Sequence, residues 1–265
     1  MQVLGYFASL LIGISLGMIG GGGSILTVPV LVYLFGISPV LSTSYSLFVV
    51  GFTSLTGAAN NYRKGFVNSK IALLFGLSSI TTVFLTRKFL VPHIPATIGV
   101  VGKVYITQSF IIMVSFAVLM MAASFSMIRD RNDETKIKLV KNISASLYKL
   151  LLYGIAIGFA TGFLGAGGGF LLIPTLVLLV KLPMKEAIGT SLLIIALNSL
   201  IGFTGDIGHF KIDWLFLFKI TSIAVGGIFI GGYANKKLPG NKLKKGFGWF
   251  VLMMGIYILT KEIFF

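Results

Sequence analysis

The chain has 265 residues, of which 56% are hydrophobic and only 11% charged, and its mean hydropathy is +0.98. Because a soluble domain carries about 25% charged residues, this composition excludes a water-soluble globular protein and indicates a helical integral membrane protein. The net charge of +15 does not indicate nucleic-acid binding, since the basic residues lie in short loops between apolar segments, where they set orientation in the membrane.

Hydropathy predicts eight apolar segments in chain order, four in each half of the chain. They cover about 3–35, 39–60, 70–86, 104–126, 147–180, 184–203, 214–234 and 246–264. The stretch MIRDRNDETKIKLVKN, which begins at Met127, is the only long charged run. We therefore divide the chain into a first transmembrane repeat over 1–126, a cytoplasmic basic linker over 127–146 and a second transmembrane repeat over 147–265.

The first segment of each half is interrupted by glycines, in GMIGGGGSILTVPVL from Gly17 and in GFLGAGGGFLLIPTL from Gly162. A shift of 145 residues aligns Gly17–Gly57 with Gly162–Gly202 without a gap, and 14 of the 41 positions are identical. Matched prolines, Pro29 and Pro174, argue against a chance effect of composition. The pattern indicates an internal duplication.

The segment Val3–Phe35 is too long for one membrane crossing and too short for two, since its limbs reach only ~24 Å and ~18 Å at about 1.5 Å per residue. It is predicted to be a broken, re-entrant helical hairpin or, alternatively, one discontinuous crossing. With hairpins, each half keeps about three crossings, the halves are inverted repeats, and 16 of the 22 basic residues share one face. With single crossings the basic residues divide 12 to 10. The positive-inside rule favours the hairpins, with both termini outside the cytoplasm in the inner (plasma) membrane.

The glycines of the two hairpins are predicted to meet near the membrane midplane and to bind a small anionic solute. Glycine allows left-handed backbone and leaves N–H groups bare, and a helix begins after each cluster, at about Ser24 and Phe170, with its positive dipole end toward the site. The alternative is close helix packing, but packing motifs space glycines by four. The predicted binding glycines are Gly20, Gly21, Gly22, Gly23, Gly165, Gly167, Gly168 and Gly169.

The segment after each hairpin adds polar side chains at helical spacing. We predict that these two stripes face the central cavity, although such side chains often bond their own backbone or a neighbouring helix. The first stripe contains Ser46, Thr53 and Asn60, and the second contains Thr190, Ser191 and Asn198.

Ionisable residues within the segments are few. Asp206 and His209 lie at the end of the sixth segment, where they serve proton coupling or belong to a solvated loop at the outer interface. Asp213 before Trp214 is interpreted as a helix cap. Two histidines in different halves are too few for a metal site, and no catalytic constellation is visible, so no metal, cofactor or enzymatic activity is expected.

These motifs resemble those of the sulfite exporter TauE/SafE family, also called TSUP, over nearly the whole chain. The resemblance rests on the duplicated glycine motifs, on KEAIGTSLL from Lys185, on GHFKIDW from Gly208 and on the end of the chain, GGIFIGGYANKKLPGNKLKKGFGWFVLMMGIYIL. The first half departs from the pattern with LSTSYSL, and it carries an extra stretch, VPHIPATIGVVGKVY, which we expect to be an interfacial loop.

The resemblance implies a secondary transporter of small sulfur-containing anions such as sulfite, thiosulfate, sulfoacetate or other organosulfonates. We expect an exporter that works by alternating access around a midplane site between the repeats. A passive anion channel, or a transporter of another small organic or inorganic anion, is the alternative. The expected partners are the anionic solute and the lipid bilayer, and a homodimer is left open.

Overall fold

The computed structural model describes residues 2–95, 97–101, 104–128, 147–178, 180–234 and 240–264, most of which are helical. The first half contains α1 (Gln2–Ile19), a 3₁₀ helix (Gly21–Leu26), α2 (Thr27–Tyr33), α3 (Pro39–Arg63), α4 (Ser69–Leu85), a π-helical turn (Thr86–Leu90), α5 (Val91–His93), β1 (Thr97–Val101), β2 (Val104–Thr107) and α6 (Gln108–Ile128). The second half contains α7 (Leu147–Leu164), α8 (Gly169–Leu178), α9 (Met184–Asp206), α10 (Trp214–Ala234) and α11 (Gly240–Phe264). Apart from residues 127 and 128 in α6, the predicted linker 127–146 lies outside the described residues.

Six helices of the described chain are long and apolar enough to cross a membrane, three in each half. They are α3, α4 with its continuation to His93, α6, α9, α10 and α11. The broken segments α1–α2 and α7–α8 are shorter, as their glycine interruptions predict. Large apolar side chains such as Leu73 on α4 and Phe229 on α10 are exposed, which suits contact with lipid. The chain is a helical, multi-pass membrane protein.

Equivalent helix pairs join the two halves. α1 packs against α10 and α7 packs against α4, and these pairs correspond at the 145-residue offset. A Cβ added to Gly17 would come within 2.8 Å of the α10 backbone, and one added to Gly158 within 2.9 Å of the α4 backbone. Close helix packing therefore uses glycines spaced by four, Gly13 and Gly17 on α1 and Gly158 and Gly162 on α7.

The helices α3 and α9, which occupy equivalent positions in the two halves, pack side by side in the core. A Cβ on Gly51 would contact Leu200 at 2.8 Å, and one on Gly57 would contact Leu192 at 3.2 Å. As residue numbers rise along α3, the contacted numbers fall along α9. The two equivalent helices therefore run antiparallel.

The last helices of the two halves, α6 and α11, form a second such pair. A Cβ added to Gly248 of α11 would lie 3.0 Å from the Met127 side chain, and one added to Gly255, further along α11, would lie 3.3 Å from that of Met120. This pair is also antiparallel. Val251 lies fully buried in the hydrophobic cluster that α6 and α11 share with the first broken segment.

Matched hydrogen bonds also link the halves across the 145-residue offset. The backbone N–H of Asn68 donates to Thr190 Oγ1 at 2.9 Å, and that of Asp213 donates to the Tyr45 hydroxyl at 2.8 Å. Each of these two donors also caps the helix that follows, because its side chain accepts from the N–H three residues later, at 3.2 Å and 3.0 Å. The predicted cap at Asp213 is confirmed. The offset found in the sequence thus relates bonds as well as helices.

The region around residues 86–107 differs from the sequence prediction. The helix predicted to end near residue 86 continues to His93 through the π-helical turn, in which Val91 N–H bonds Thr86 O. Pro92 accounts for the wider turn, since it has no N–H to donate and its ring would clash with a regular helical turn. The stretch expected to be a loop forms the antiparallel hairpin β1–β2, because it is rich in β-branched residues. The all-α prediction omitted this hairpin.

Candidate functional site

The two glycine-rich breaks, Gly20–Gly23 and Gly165–Gly169, lie against each other. A Cβ added to Gly21 would sit 2.8 Å from the carbonyl carbon of Gly169, and one added to Gly169 would sit 2.6 Å from that of Gly21. The structure thus brings the predicted glycine clusters together, backbone against backbone. Every glycine of these breaks whose exposure is described is buried.

The conformational reason for the glycines is borne out. Gly20 has φ +78°, and Gly165, Gly167 and Gly168 each have φ +67°, in the left-handed region that side-chain-bearing residues avoid. α8 begins at Gly169, one residue before the predicted start. The first cluster instead continues as a 3₁₀ helix, and the regular α-helix begins only at Thr27.

Part of the N–H prediction is wrong. The N–H of Gly20 donates to Leu16 O at 2.9 Å and that of Gly165 to Thr161 O at 2.8 Å. Gly23 donates to the carbonyl of Gly20 at 3.4 Å. These groups are used inside the chain because each helix before a break closes its last turn. They are not bare donors for a solute.

The predicted polar stripes are mostly buried, but several members are satisfied locally. Thr53 Oγ1 donates to Val49 O at 2.6 Å, and Ser191 Oγ donates to Ile188 O at 2.9 Å. Thr190 is engaged in the bond from Asn68 described above. These three hydroxyls contribute to helix structure or to packing between the halves.

Asn198 and Ser46 each have a buried polar atom that makes no hydrogen bond within the described chain, whereas Asn60 is exposed. Asn198 Oδ1 accepts from Ser79 Oγ at 2.8 Å, while Asn198 Nδ2 and Ser46 Oγ are buried with no partner among the described residues. The exposed Asn60 thus differs from the buried members of the two stripes, and its role as a cavity residue stays a prediction. The end of α3 emerges from the packed core there, as the exposure of Tyr62 also indicates.

The surroundings of the second glycine break are polar. A Cβ added to Gly167 would lie 3.2 Å from Ser199 Oγ, and Gly168 lies directly against Thr161 Oγ1. In the described part of the chain, neither hydroxyl has a hydrogen-bond partner, although both are buried. Buried polar atoms are normally bonded, so these two are candidates for a ligand.

The first glycine break is surrounded differently. A Cβ on Gly20 would meet Ile188 at 2.9 Å and Ile173 at 3.2 Å, and one on Gly21 would meet Ile195 at 2.5 Å. The described neighbours of these two glycines in the first break are therefore apolar side chains and the Gly169 backbone. Gly23 of the first break lies directly against Ser15 Oγ, but that hydroxyl donates to Ile12 O at 2.8 Å. The second break is the one with unpartnered hydroxyls described beside its glycines.

A buried ion pair lies beside the second break. Arg87 Nη1 contacts Asp206 Oδ2 at 3.2 Å, and the two side chains are 0% and 1% exposed. The same nitrogen donates to Thr43 Oγ1 at 3.0 Å, and Gly165 packs on Thr43, where an added Cβ would lie 2.6 Å from its Cα. Asp206 thus lies in the core and not in a solvated loop. His209 is exposed, and proton coupling by either residue stays a prediction.

Sequence reasoning missed Arg87, which was counted among the loop charges. One feature of the sequence indicates a buried position for Arg87. The apolar run continues after it, from Phe89 to Val91, and the arginine therefore lies inside the apolar segment and not beyond its end. The π-helical turn then places Arg87 inside the core while its neighbour Lys88 stays exposed.

A separate cavity of about 240 Å³ lies near the start of α1, α3 and α10. Its lining is largely aromatic and aliphatic and includes no basic residue, so it offers an anion no charge complement. The lining residues are Tyr6, Phe35, Ile37, Leu41, Tyr45, Asp213 and Phe216.

Comparison with known proteins covers nearly the whole chain. The family model described as Sulfite exporter TauE/SafE matches residues 6–258. A probable membrane transporter protein of Xylella fastidiosa (strain Temecula1) is 29% identical over 258 residues, which is 95% of this chain and 92% of that protein. The probable membrane transporter protein YdhB of Bacillus subtilis is 27% identical over 249 residues, covering 94% of this chain and 96% of YdhB. No solved structure matches.

Proposed function

The chain belongs to the sulfite exporter TauE/SafE family of membrane transporters, and on that premise we propose that it is a secondary transporter that exports small sulfur-containing anions. Sulfite, thiosulfate and organosulfonates such as sulfoacetate are the proposed substrates. The family supplies this substrate class, whereas the relatives' names state only membrane transport.

The backbone contact between the two glycine-rich breaks is the observation that carries the mechanism. Broken helices deep in a membrane are tolerated where they are buried in protein or line a cavity, and transporters place solutes at such breaks. Here Gly21 and Gly169 touch, and both are buried. The breaks must therefore separate before a solute can pass. Such gating favours alternating access over a permanently open channel.

Inverted repeats are part of the proposal, and the antiparallel pairs α3–α9 and α6–α11 support them. If helices that span the membrane are related by a two-fold axis and run antiparallel, that axis lies in the membrane plane. The hairpins then enter from opposite sides. The excess of basic residues, 16 of 22 on one face, supports the proposal that this face is the cytoplasmic one of an inner-membrane protein.

The second glycine break is proposed as the main anion-binding part of the site. Oxyanions of sulfur carry several acceptor oxygens, and the unpartnered hydroxyls of Thr161 and Ser199 are donors of the required kind. The first break is proposed to close against the second through the backbone contact of Gly21 with Gly169.

Flux measurements on the purified chain in proteoliposomes test the function. Radiolabelled sulfite, thiosulfate and sulfoacetate are offered beside labelled phosphate and chloride, with protein-free liposomes as the control. We expect saturable uptake of at least one sulfur anion, accelerated by the same unlabelled anion on the far side. Uptake of phosphate or chloride alone would contradict the substrate class. An ohmic current in planar bilayers, without saturation, would favour the passive channel.

The orientation has its own test. A cysteine introduced after Phe264 or before Val3 is expected to react with a membrane-impermeant maleimide added to intact cells, because both termini are proposed to lie outside. The chain has no native cysteine that would interfere. Labelling only after the membrane is opened would refute the inverted arrangement proposed here.

A further inference from the structure

The Arg87 guanidinium has donors that the fold does not use. Its Nη1 nitrogen bonds both Asp206 and Thr43, while Nε and Nη2 are buried with no partner among the described residues. Nε and Nη2 form one edge of the planar guanidinium, and this edge presents two parallel N–H groups. Such a fork matches two oxygens of one oxyanion.

The ion pair itself is incomplete. Arg87 and Asp206 are joined through one nitrogen and one oxygen at 3.2 Å. Asp206 Oδ1 makes no hydrogen bond of good geometry within the described chain, although the Ser44 hydroxyl lies close to the carboxylate. A buried pair stabilises a fold only when its geometry is good and its remaining donors are satisfied. A purely structural salt bridge would be expected to use both carboxylate oxygens. Here the pair neutralises the arginine and leaves one edge open for a second anion.

Arg87 is coupled to the second glycine break and to α7, the helix that precedes this break. Gly165 packs on Thr43, which accepts from Arg87, and Gly162 of α7 packs on Thr86, where an added Cβ would lie 2.9 Å from the Thr86 Cβ. A displacement of the second break would therefore shift the groups that hold the guanidinium.

The equivalent positions of the repeat do not carry the residues of this ion pair. At the 145-residue offset, Arg87 corresponds to Gly232, Asp206 to Asn61, and Thr43 to Ile188. The equivalent helix pairs pack in both halves all the same. The repeat architecture thus does not require a buried ion pair at this position, which indicates that the pair serves a function.

We propose that the Nε–Nη2 edge of Arg87 binds the transported oxyanion, while Asp206 and Thr43 hold the guanidinium in place when the site is empty. This inference rests on the proposed function, because it names the cationic group of that same site. Arg87 is 0% exposed. An anion therefore reaches it only after part of the surrounding structure has moved, and the contact of Gly165 with Thr43 makes the second break the proposed moving part.

The decisive variant is the double substitution Arg87→Gln with Asp206→Asn. Arg87→Gln alone leaves a buried unpaired carboxylate, which is strongly destabilising, whereas the double variant has two neutral amides of similar size. We expect the KM for labelled thiosulfate or sulfite to rise at least about tenfold in the double variant, as loss of charge-assisted bonds predicts. Arg87→Lys keeps the charge but loses the fork, and its KM is expected to rise as well. Asp206→Asn alone leaves the guanidinium buried without its carboxylate, so a loss of stability is expected; the fraction of this variant that is folded and inserted should bind the anion at least as tightly as the wild type.

The matched control is Lys88→Gln. It also removes one positive charge, but from the exposed side chain of the residue next to Arg87. Its KM is expected to stay within about twofold of the wild type. Stabilisation of the detergent-solubilised protein against heat by sodium thiosulfate, compared with sodium gluconate at equal ionic strength, gives a binding readout that is independent of flux. It should be lost in the double variant and kept in Lys88→Gln.

The outcomes separate the two proposals. If the wild type transports none of the sulfur anions, the proposed function fails and Arg87 loses its ligand with it. If the wild type transports and the folded double variant keeps the wild-type KM and thermal stabilisation, the function stands and the role of Arg87 is overturned. A raised KM in Lys88→Gln equal to that of the double variant would also overturn it, because the effect would then be one of general charge.

Discussion

The two glycine-rich breaks begin with equivalent glycines of positive φ but differ in the backbone that follows and in the side chains that surround them. Gly20 and Gly165, which correspond at the 145-residue offset, both have positive φ, yet the first lies against Ile188 and the second against Thr43. The corresponding neighbours Leu16 and Thr161 differ in the same sense. Both halves have therefore kept the positive-φ glycine that starts the break. Unpartnered hydroxyls lie beside the glycines of the second break, whereas the hydroxyl beside the first, Ser15 Oγ, donates to Ile12 O.

The glycine that starts a repeated backbone turn can therefore be kept while the side chains that surround it differ between the two copies. A turn of this kind depends on glycine at the positions of positive φ, and both halves meet that requirement. Anion binding depends on donors placed around the turn, and those proposed here come from both halves, Arg87 from the first and Thr161 and Ser199 from the second. The comparison predicts unequal functional roles for structurally matched residues.

The largest effect is expected where the two breaks touch. Gly169→Ala adds a Cβ that would overlap the Gly21 backbone, which has no side-chain rotamer with which to yield. Because overpacking costs about 1–3 kcal/mol at the point where the gate closes, we expect flux per inserted protein to fall at least about tenfold. Gly226→Ala, on exposed α10 surface with no atom within 4 Å of the added Cβ, is the control and should transport normally. Normal flux in both variants would show that the contact is irrelevant to transport.

An intermediate effect is expected from a matched pair of serines. Ser199 beside Gly167 and its repeat equivalent Ser54 are both fully buried and unpartnered among the described residues. If only the second break binds the anion, Ser199→Ala removes a bond to a charged ligand, worth about 1.5–3 kcal/mol, and KM should rise about tenfold or more. Ser54→Ala should leave KM unchanged. Equal shifts in both variants would indicate a site shared evenly by the two breaks.

The smallest effect is expected for the hydrogen bonds that the halves exchange. Thr190→Val and Tyr45→Phe each remove the acceptor of an equivalent backbone N–H, from Asn68 and Asp213 respectively. We expect each to lower the free energy of unfolding by about 1 kcal/mol and to leave the flux unchanged. Thermal unfolding in detergent measures the change in stability. A loss of transport in Thr190→Val but not in Tyr45→Phe would indicate that Thr190 contributes to the binding site.

Several features of the fold could be predicted from patterns in the sequence. The six long apolar helices, the interrupted first segment of each half and the cap at Asp213 were all predicted from hydropathy, glycine clusters and repeat spacing. These features depend on local composition, so one sequence suffices to find them. The hairpin β1–β2 was missed because an apolar, β-branched stretch beside a proline gives the same hydropathy signal as a membrane-interfacial loop.

Side-chain roles were predicted less well. Helical spacing placed Asn60 on the buried face, but spacing does not say where a helix leaves the core. Arg87 and Asp206 are 119 residues apart, and nothing local links them. Whether a serine bonds its own helix, as Ser191 does, or stays unpartnered, as Ser199 does, depends on neighbours from other helices.

The sequence alone determined that this chain lies in a membrane, that it is duplicated and that its helices break at glycines, because each of these follows from short-range composition and backbone conformation. The tertiary structure was needed to show that the two breaks touch, that unpartnered hydroxyls lie beside the second one and that Arg87 is buried near it. Those facts depend on which helices pack together, and long-range packing sets the partners of every buried polar group.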